Sequence, residues 1–403
     1  MINKQKVLIP ALIAALFGSA AYAGMLAPGK ADLVANQLAK AGVSPAPLAD
    51  SDELHYAWRS DEAITEQVPF EAASREFWAD YSAAQLSSGV DIHTTAAGAV
   101  VRISPLSGTE QSVNPADLQV QRNGQTFANA SGISSVASAE DVAAGLPAFP
   151  DGTSAFRLRE DLGSGDFKLT APVAEGRYLI HVYEPNSEQV LKLRSASDSY
   201  LSGQNLNLRA SFEVGGRVST ADNLSGVLTA PDGRSFELSY SRQRDGSYAA
   251  SLPAPSAAVS DGPIPWEVHT FSSAGEVLRD AKTAISIAAP VARLSGSANQ
   301  LALRAHGTNV VVQFGVDSAI AGRFQLTGTL WGTNAKGALV PVAVAQTAKN
   351  LSGDDGGFLE LRFLTGVVDP AGVVAPFEIR DLRLQNQADM SVLERRERAW
   401  VSD

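Results

Sequence analysis

The strand-like motif Leu224-Ser-Gly-Val-Leu228 recurs about 100 residues later as Leu326-Thr-Gly-Thr-Leu330. Two further motif pairs follow in the same order: Asp245-Gly246-Ser-Tyr248 with Asp355-Gly356-Gly-Phe358, and Pro265-Trp-Glu-Val-His269 with Pro376-Phe-Glu-Ile-Arg380. Alternating apolar residues are typical of strands, and Asp-Gly is typical of the tight turns that join them. An offset of about 100 residues is the length of one immunoglobulin-like sandwich. The sequence therefore predicts two tandem sandwiches of the same design.

The repeated motifs also indicate core positions. Trp266 and its counterpart Phe377 are predicted core anchors, because each opens a predicted strand behind a proline. An aromatic residue two positions after the turn glycine is expected to face the core, as Tyr248 and Phe358 would. Gly176-Arg-Tyr178 has the same form, which suggests that the preceding domain is a more distant relative.

That preceding domain shows the same alternation from Val90 onward. Strands are predicted over 99–103, 118–122, 154–158, 166–170 and 177–183, with a helical turn over 139–144. The run Glu184-Pro-Asn-Ser187 ends the last of these strands and marks a domain end.

Residues 24–88 differ from the rest, being rich in Ala, Glu and Asp. A short helix is predicted over 30–41, ending at Gly42, and a second over 70–86, where Phe77, Trp78 and Tyr81 fall near one helical face. The first 23 residues have the layout of a secretory signal peptide: basic Lys4 and Lys6, an apolar run over 7–17, and Ala21-Tyr-Ala23 as a cleavage site.

The expected fold class is thus mainly β, with tandem immunoglobulin-like sandwiches behind a short helical region. The predicted divisions are a signal peptide over 1–23, a helical lead-in over 24–88, a first sandwich over 89–187, a second over 188–289 and a third over 290–403.

Composition excludes several classes of function. The chain has no cysteine, so disulfides, thiolate nucleophiles, cysteine-ligated metals and lipoprotein anchors are excluded. A net charge of −11, spread along the chain, argues against nucleic acid or anionic lipid as the partner. No second apolar run approaches membrane length, so no membrane insertion of the mature chain is expected. The expected location is the periplasm or the outside of the cell.

No catalytic motif is found. The serine hydrolase signature G-x-S-x-G, zinc-binding histidine spacings and phosphate-binding loops are all absent from the sequence. The five histidines are scattered singly, and His93, at a predicted strand end near the lead-in, is the one hardest to assign to packing. The sequence therefore identifies no catalytic residues and implies no nucleotide cofactor.

Two sets of residues are candidates for binding. Asp354 and Asp355 resemble half of a calcium loop, although a β-turn is the default interpretation and calcium is the only cofactor considered. Trp58, Trp78 and Trp331 are candidate ligand-binding residues, because an exposed indole can stack on a sugar ring. Packing between domains is the alternative for each tryptophan.

The chain resembles a family of exported bacterial proteins known only as a domain of unknown function. The resemblance lies in Phe77-Trp78, Ser87–Asp91, Thr94–Pro105 and Val182–Pro185. It implies a multi-domain, immunoglobulin-like architecture and a periplasmic or extracellular location, with no reaction and no catalytic residues to transfer. In addition, Phe358–Phe363 with Ala375–Leu384 is similar to the closing strands of accessory sandwiches on secreted bacterial hydrolases.

Three hypotheses follow. The first is an exported binding protein for a protein or polysaccharide of the cell envelope or extracellular milieu. The second is a secreted hydrolase with its site in residues 50–160, which requires a pocket joining His93 or His55 to carboxylates or a serine. The third is a structural spacer, stabilised by calcium or not.

Overall fold

The computed structural model describes residues 24–39, 52–60, 70–106, 112–145, 149–173, 175–259, 262–301, 306–353 and 356–402. The expected leader and the calcium candidates Asp354 and Asp355 lie outside these residues. The fold is mainly β, as predicted, and its described helices are too short or too polar to span a membrane.

The strands and helices follow one another along three sandwiches. Three strands precede the first sandwich: β1 Leu54–Arg59, β2 Glu71–Ser74 and β3 Glu76–Ser82. The first sandwich continues with α1 Ala83–Ser88, β4 Val90–Thr94, β5 Val100–Pro105, β6 Gln119–Arg122, β7 Gln125–Ala128, β8 Ile133–Ala137, α2 Ala139–Gly145, β9 Ser154–Leu158, β10 Gly165–Thr170 and β11 Arg177–Tyr183. The second contains β12 Gln189–Ser195, β13 Ser199–Leu201, β14 Asn205–Val214, β15 Arg217–Ser219, β16 Asn223–Thr229, β17 Ser235–Ser239, β18 Ser241–Arg242, β19 Tyr248–Pro253, β20 Trp266–Ala274 and β21 Val277–Ala288. The third contains β22 Ala292–Leu301, β23 Val310–Ser318, β24 Gly322–Thr333, β25 Leu339–Leu351, β26 Gly357–Phe363, α3 Thr365–Val368, β27 Val374–Asn386 and β28 Val392–Val401.

The second and third sandwiches have the same strand order. In the second, the sheet β17-β16-β20-β21 faces a sheet that contains β19-β14-β12. In the third, β25-β24-β27-β28 faces β26-β23-β22. The motifs that recur in the sequence fall on equivalent strands, since β16 corresponds to β24 and β20 to β27. The duplication seen in the sequence is therefore a duplication of topology.

The core anchors of the two copies are only partly equivalent. Trp266 and Phe377 are both buried, at 3% and 6% exposure, as predicted. Tyr248 is buried as well, but Phe358 is 46% exposed, so its predicted inward orientation is wrong. In β26 the residues that face the core are Leu359, Leu361 and Phe363, one position out of phase with β19. The two motifs have the same length, and Gly357 stands where the second sandwich has Ser247.

The region before the first sandwich is not a helical lead-in. No helix occurs in the described residues 24–39, and residues 70–86 form β2, β3 and only the start of α1. The region is instead a strap that supplies a strand or a bridge to each sandwich, in reverse order. Leu33 bridges to Arg395 in the third sandwich, β1 pairs with β25 of the same sandwich, β2 pairs with β12 of the second, and β3 pairs with β11 of the first.

The strap also contributes to each hydrophobic core. Leu33 and Ala35 belong to the core of the third sandwich, Ala72 to that of the second and Phe77 to that of the first. We refer to the described residues between 24 and 82 as the N-terminal strap. Its pairing explains the failure of the helix prediction, because strand pairing with distant segments overrides local helical spacing.

The first and second sandwiches are joined by a continuous sheet and a buried ion pair. Strand β21 of the second meets strap strand β3, which pairs with β11 of the first, at Asp280 and Glu76. Arg279 of β21 lies 2.9 Å from the carboxylate of Glu184, which directly follows β11, and both side chains are fully buried. Glu184 also accepts the backbone N–H groups of Thr95 and Ala96. Burial lowers the pKa of Arg279, and Glu184 acts in the opposite direction.

Candidate functional site

Two large aromatic side chains lie exposed at one edge of the third sandwich. Tyr56 is 60% and Trp58 is 47% exposed, and both belong to β1, the edge strand of the five-stranded sheet. Side chains alternate along a strand, so these two share the outer face while Ala57 between them packs on the core. Two neighbouring aromatic rings left open to solvent make this edge a candidate contact surface.

Trp331 lies on the same outer face. Trp58 is opposite Val344 of β25, and Val344 is opposite Thr329 of β24, two residues before Trp331. Arg380, on β27, is opposite Thr329. Its guanidinium carbon lies 4.7 Å from the centroid of the Trp331 ring. The sheet thus places two of the three candidate tryptophans on the same face, two strands apart. The name aromatic face is used below for Tyr56, Trp58, Trp331 and Arg380.

Arg380 is held in place by Glu378. The Nε of Arg380 donates to Glu378 Oε2 at 2.8 Å, and Arg398 donates to the same carboxylate through its own Nε at 2.9 Å. Burial acts to raise the pKa of Glu378, but the hydrogen bonds from Arg398 and Arg380 outweigh it, so the pKa lies below its ordinary value. Glu378 is therefore charged at neutral pH and keeps the guanidinium over the indole ring.

The aromatic face combines flat apolar rings with hydrogen-bonding groups. Tyr56 is opposite Gln346, which is in turn opposite Thr327, so an amide and a hydroxyl share the face with the rings. Such a surface can stack on the apolar face of a sugar ring while its polar groups bind the hydroxyls.

Trp78 lies elsewhere, at the junction of the first and second sandwiches. Its ring stacks on His181 with centroids 4.5 Å apart and meets the edge of His269 at 5.7 Å. Its backbone N–H donates to Asp280 Oδ2 at 2.8 Å, and Lys282 Nζ lies 5.3 Å from the ring. Trp78 is half-buried in this cluster and is not part of the aromatic face.

His93 lies beside two carboxylates. His93 of β4 is directly opposite Asp166 of β10, and its Nδ1 lies 2.6 Å from Asp166 Oδ1. Glu276, at the turn between β20 and β21, brings its Oε2 to 3.4 Å from the same nitrogen. The His93 cluster is defined as His93, Asp166 and Glu276. It lines a cleft of about 490 Å³ between the first and second sandwiches.

His55, His181 and His269 each lie near a single carboxylate, at 3.3, 2.8 and 3.7 Å. His55 Nδ1 lies 3.2 Å from the carbonyl oxygen of Glu360 and its Nε2 lies 3.3 Å from Glu53. His181 Nε2 lies 2.8 Å from Glu76. Among the described residues, the lining of the His93 cleft includes neither a serine nor a cysteine, so this cleft does not hold the nucleophile of a serine hydrolase.

Sequence reasoning missed Tyr56, Arg380, Asp166 and Glu276 as candidate site residues. The Tyr56-Ala-Trp58 alternation was a usable signal for an exposed strand face. Arg380 and Asp166 are brought to their neighbours by strand register, and Glu276 is brought to His93 by the packing of two sandwiches. No local spacing in the sequence reveals either.

The comparisons with known proteins agree with this architecture. The family model described as "Domain of unknown function (DUF4785) N-terminal domain" matches residues 45–184, and the "Domain of unknown function (DUF4785) C-terminal domain" matches residues 292–401. None of the curated proteins matches the chain.

Among solved structures, a DUF4785 family protein from Legionella pneumophila is similar over 91% of this chain and 98% of its own, with a TM-score of 0.72 and 21% identity. Salmonella alpha-2-macroglobulin matches over 82% of this chain and 20% of its own, with a TM-score of 0.29 and 14% identity. The Escherichia coli adhesin FdeC matches over 82% of this chain and 99% of its own, with a TM-score of 0.20 and 13% identity. At these TM-scores the last two do not share the overall arrangement, and the Legionella protein supports the fold alone.

Proposed function

The chain belongs to the DUF4785 family, and from the aromatic face of its third sandwich we propose that it is an exported protein that binds a polysaccharide of the cell envelope or extracellular milieu. The observation that carries the proposal is the pair of exposed rings Tyr56 and Trp58 on a sheet face that also holds Trp331 and Arg380. A protein ligand for the same face is the competing outcome.

Export is supported by the sequence of residues 1–23, whose basic start, apolar run and Ala-x-Ala end are typical of a signal peptide. Fusing residues 1–23 to a reporter that is active only outside the cytoplasm tests this directly. Reporter activity that survives replacement of the apolar run by charged residues would contradict the proposal.

The contribution of Trp58 to the binding free energy follows from the area of its side chain that is exposed. A tryptophan of about 220 Å² that is 47% exposed offers about 100 Å² to a ligand, worth about 2.5 kcal/mol if fully covered. Loss of this contact corresponds to a roughly 60-fold increase in Kd. Trp58→Ala should therefore abolish measurable binding to a ligand of moderate affinity.

The test uses co-sedimentation with insoluble peptidoglycan, chitin and cellulose, and titration with soluble capsular or O-antigen polysaccharide. Wild-type protein is compared with Tyr56→Ala, Trp58→Ala and the control Phe70→Ala, which removes a ring that is 71% exposed but lies before β2, away from the aromatic face. We expect binding to at least one polysaccharide, lost in the first two variants and kept in the control. Binding that is equal in all four proteins, or absent across the panel, would refute the proposal.

One observation favours a second candidate, a hydrolase. His93 is not isolated, because Asp166 and Glu276 lie beside it in an open cleft. Paired carboxylates are the acid and base of glycoside hydrolysis. Release of reducing ends from a polysaccharide by wild-type protein, lost in Glu276→Gln, would support this candidate. If Glu276→Gln released reducing ends as fast as the wild-type protein does, this cleft would be excluded as the active site.

A further inference from the structure

The three residues of the His93 cluster come from two sandwiches. His93 and Asp166 are cross-strand neighbours on β4 and β10 of the first sandwich. Glu276 reaches them from the hairpin between β20 and β21 of the second. The hairpin is fixed at Gly275, which has a φ of +59° and donates its N–H to Asp222 Oδ2 at 2.7 Å. All three are thus placed by paired strands and a tight turn.

Their ligand atoms converge on one point. His93 Nδ1, a carboxylate oxygen of Asp166 and one of Glu276 lie within 4.8 Å of one another. Zinc bonds of about 2.0–2.2 Å place tetrahedral ligand atoms about 3.3–3.5 Å apart. The 3.4 Å between His93 and Glu276 already meets this spacing, and the 2.6 Å to Asp166 needs an opening of under about 1 Å. The carboxylate side chains are about three-quarters exposed, so they are free to make this adjustment.

The charges of the cluster favour a cation. The two ionised carboxylates carry a charge of about −2, and a metal ion at His93 Nδ1 would displace the hydrogen bond between this nitrogen and Asp166. In the described part of the chain, Asp166 and Glu276 pair with His93 and with no lysine or arginine. The basic groups of the same cleft are engaged elsewhere, since Lys168 pairs with Asp91 and Arg122 donates to the carbonyl of Ser164.

We propose that His93, Asp166 and Glu276 bind a divalent transition-metal ion, of which Zn²⁺ is the reference case, and that the ion bridges the first and second sandwiches. One imidazole and two carboxylates suit Zn²⁺ or Mn²⁺, whereas Ca²⁺ prefers six or more oxygen ligands. Three protein ligands leave a coordination position for water or for a ligand in the cleft. This site is independent of the aromatic face.

The test is calorimetric titration of the untagged protein with ZnCl₂, alongside thermal unfolding with Zn²⁺ and with a chelator. The variants are Asp166→Asn and Glu276→Gln, which remove a charge at constant size. The control Glu267→Gln alters an exposed carboxylate of β20 that pairs with Lys282. Wild-type and control proteins should bind one Zn²⁺, and both variants should bind at least about tenfold more weakly. A Zn²⁺ concentration of about 100 times Kd should raise Tm by about 5–10 °C.

Absence of saturable Zn²⁺ binding to wild-type protein would overturn the proposal. Equal affinity in Glu276→Gln would overturn the bridging role, because the ion would then be held by the first sandwich alone. Trp58→Ala should bind Zn²⁺ as wild type does, so failure of this proposal and failure of the polysaccharide proposal are distinguishable.

Discussion

The buried ion pair between Arg279 and Glu184 should hold the first and second sandwiches together. Replacing Arg279 with Met keeps an unbranched side chain in the same space but leaves the carboxylate of Glu184 without its counter-charge. Both side chains are fully buried, so solvent cannot take the place of the lost guanidinium. The substitution therefore tests whether this junction depends on charge compensation.

The cost of Arg279→Met follows from the contacts that it removes. Arg279 gives up the ion pair at 2.9 Å and hydrogen bonds to the hydroxyls of Thr95 and Ser187 and to the carbonyl of Gln189. Breaking a buried pair by removing one partner costs about 3–5 kcal/mol. The backbone N–H groups of Thr95 and Ala96 still bind Glu184, which keeps the expected loss within that range.

The assay is urea unfolding and scanning calorimetry, in which separate cores can give separate transitions. The double variant Glu184→Gln with Arg279→Met should recover at least about 1 kcal/mol, because no uncompensated charge remains. The control Arg293→Met breaks a pair with Asp317 that is about 40% exposed and should cost less than about 1 kcal/mol. A loss below 1 kcal/mol for Arg279→Met, or no recovery in the double variant, would refute the reasoning.

Three further predictions concern the sandwiches themselves. A methyl group at Gly226 would lie 2.8 Å from a backbone oxygen, and one at Gly328 would lie 2.9 Å from a leucine methyl. Each Gly→Ala change should therefore lower the free energy of unfolding in urea by about 1–3 kcal/mol. The control Gly366→Ala meets no atom within 4 Å and should not destabilise the protein. Leu33→Ala removes a buried strap residue and should cost the third sandwich about 2–4 kcal/mol by calorimetry; an unchanged transition would show that the strap is dispensable. Burial raises the pKa of Glu394, so the native state binds this proton more readily than the unfolded state, and this contribution to stability grows as pH falls from about 7 towards about 4.5. Glu394→Gln should remove it, and urea midpoints of the two proteins that run parallel across this range would contradict the assignment.

The strands of the three sandwiches were largely predictable because their side chains alternate between core and solvent. The predicted strands 154–158 and 177–183 coincide with β9 and β11, and the helical turn predicted over 139–144 falls on α2. The two strands carry their own period-2 pattern, since one face is buried and the other is more exposed.

The N-terminal strap was not predictable in the same way. Phe77, Trp78 and Tyr81 have helical spacing, yet β3 pairs with β11, about 100 residues further along the chain. Only the completed first sandwich supplies the edge that turns this segment into a strand. Local pattern is therefore a poor guide where a segment completes a sheet built by later residues.

The neighbours of the candidate site residues are also set by the pairing of distant strands. Trp58, Trp331 and His93 were selected from the sequence, but their neighbours were not. Arg380 reaches Trp331, and Asp166 reaches His93, because adjacent strands pair at those positions. A one-residue change of register would move each of these side chains to the opposite face of its sheet.

The most direct measurement of the proposed binding surface is the response of the indole N–H signals to a polysaccharide. The chain has five tryptophans, so nitrogen-15-labelled protein should give one indole signal for each, assigned by single substitutions. Upon addition of a soluble polysaccharide that titrates, the signal of Trp58 should shift most, because the indole nitrogen of Trp331 is buried, while the signals of Trp78 and Trp266 stay in place. Shifts confined to Trp78, or binding with no change at Trp58, would contradict the proposal that the aromatic face is the binding site.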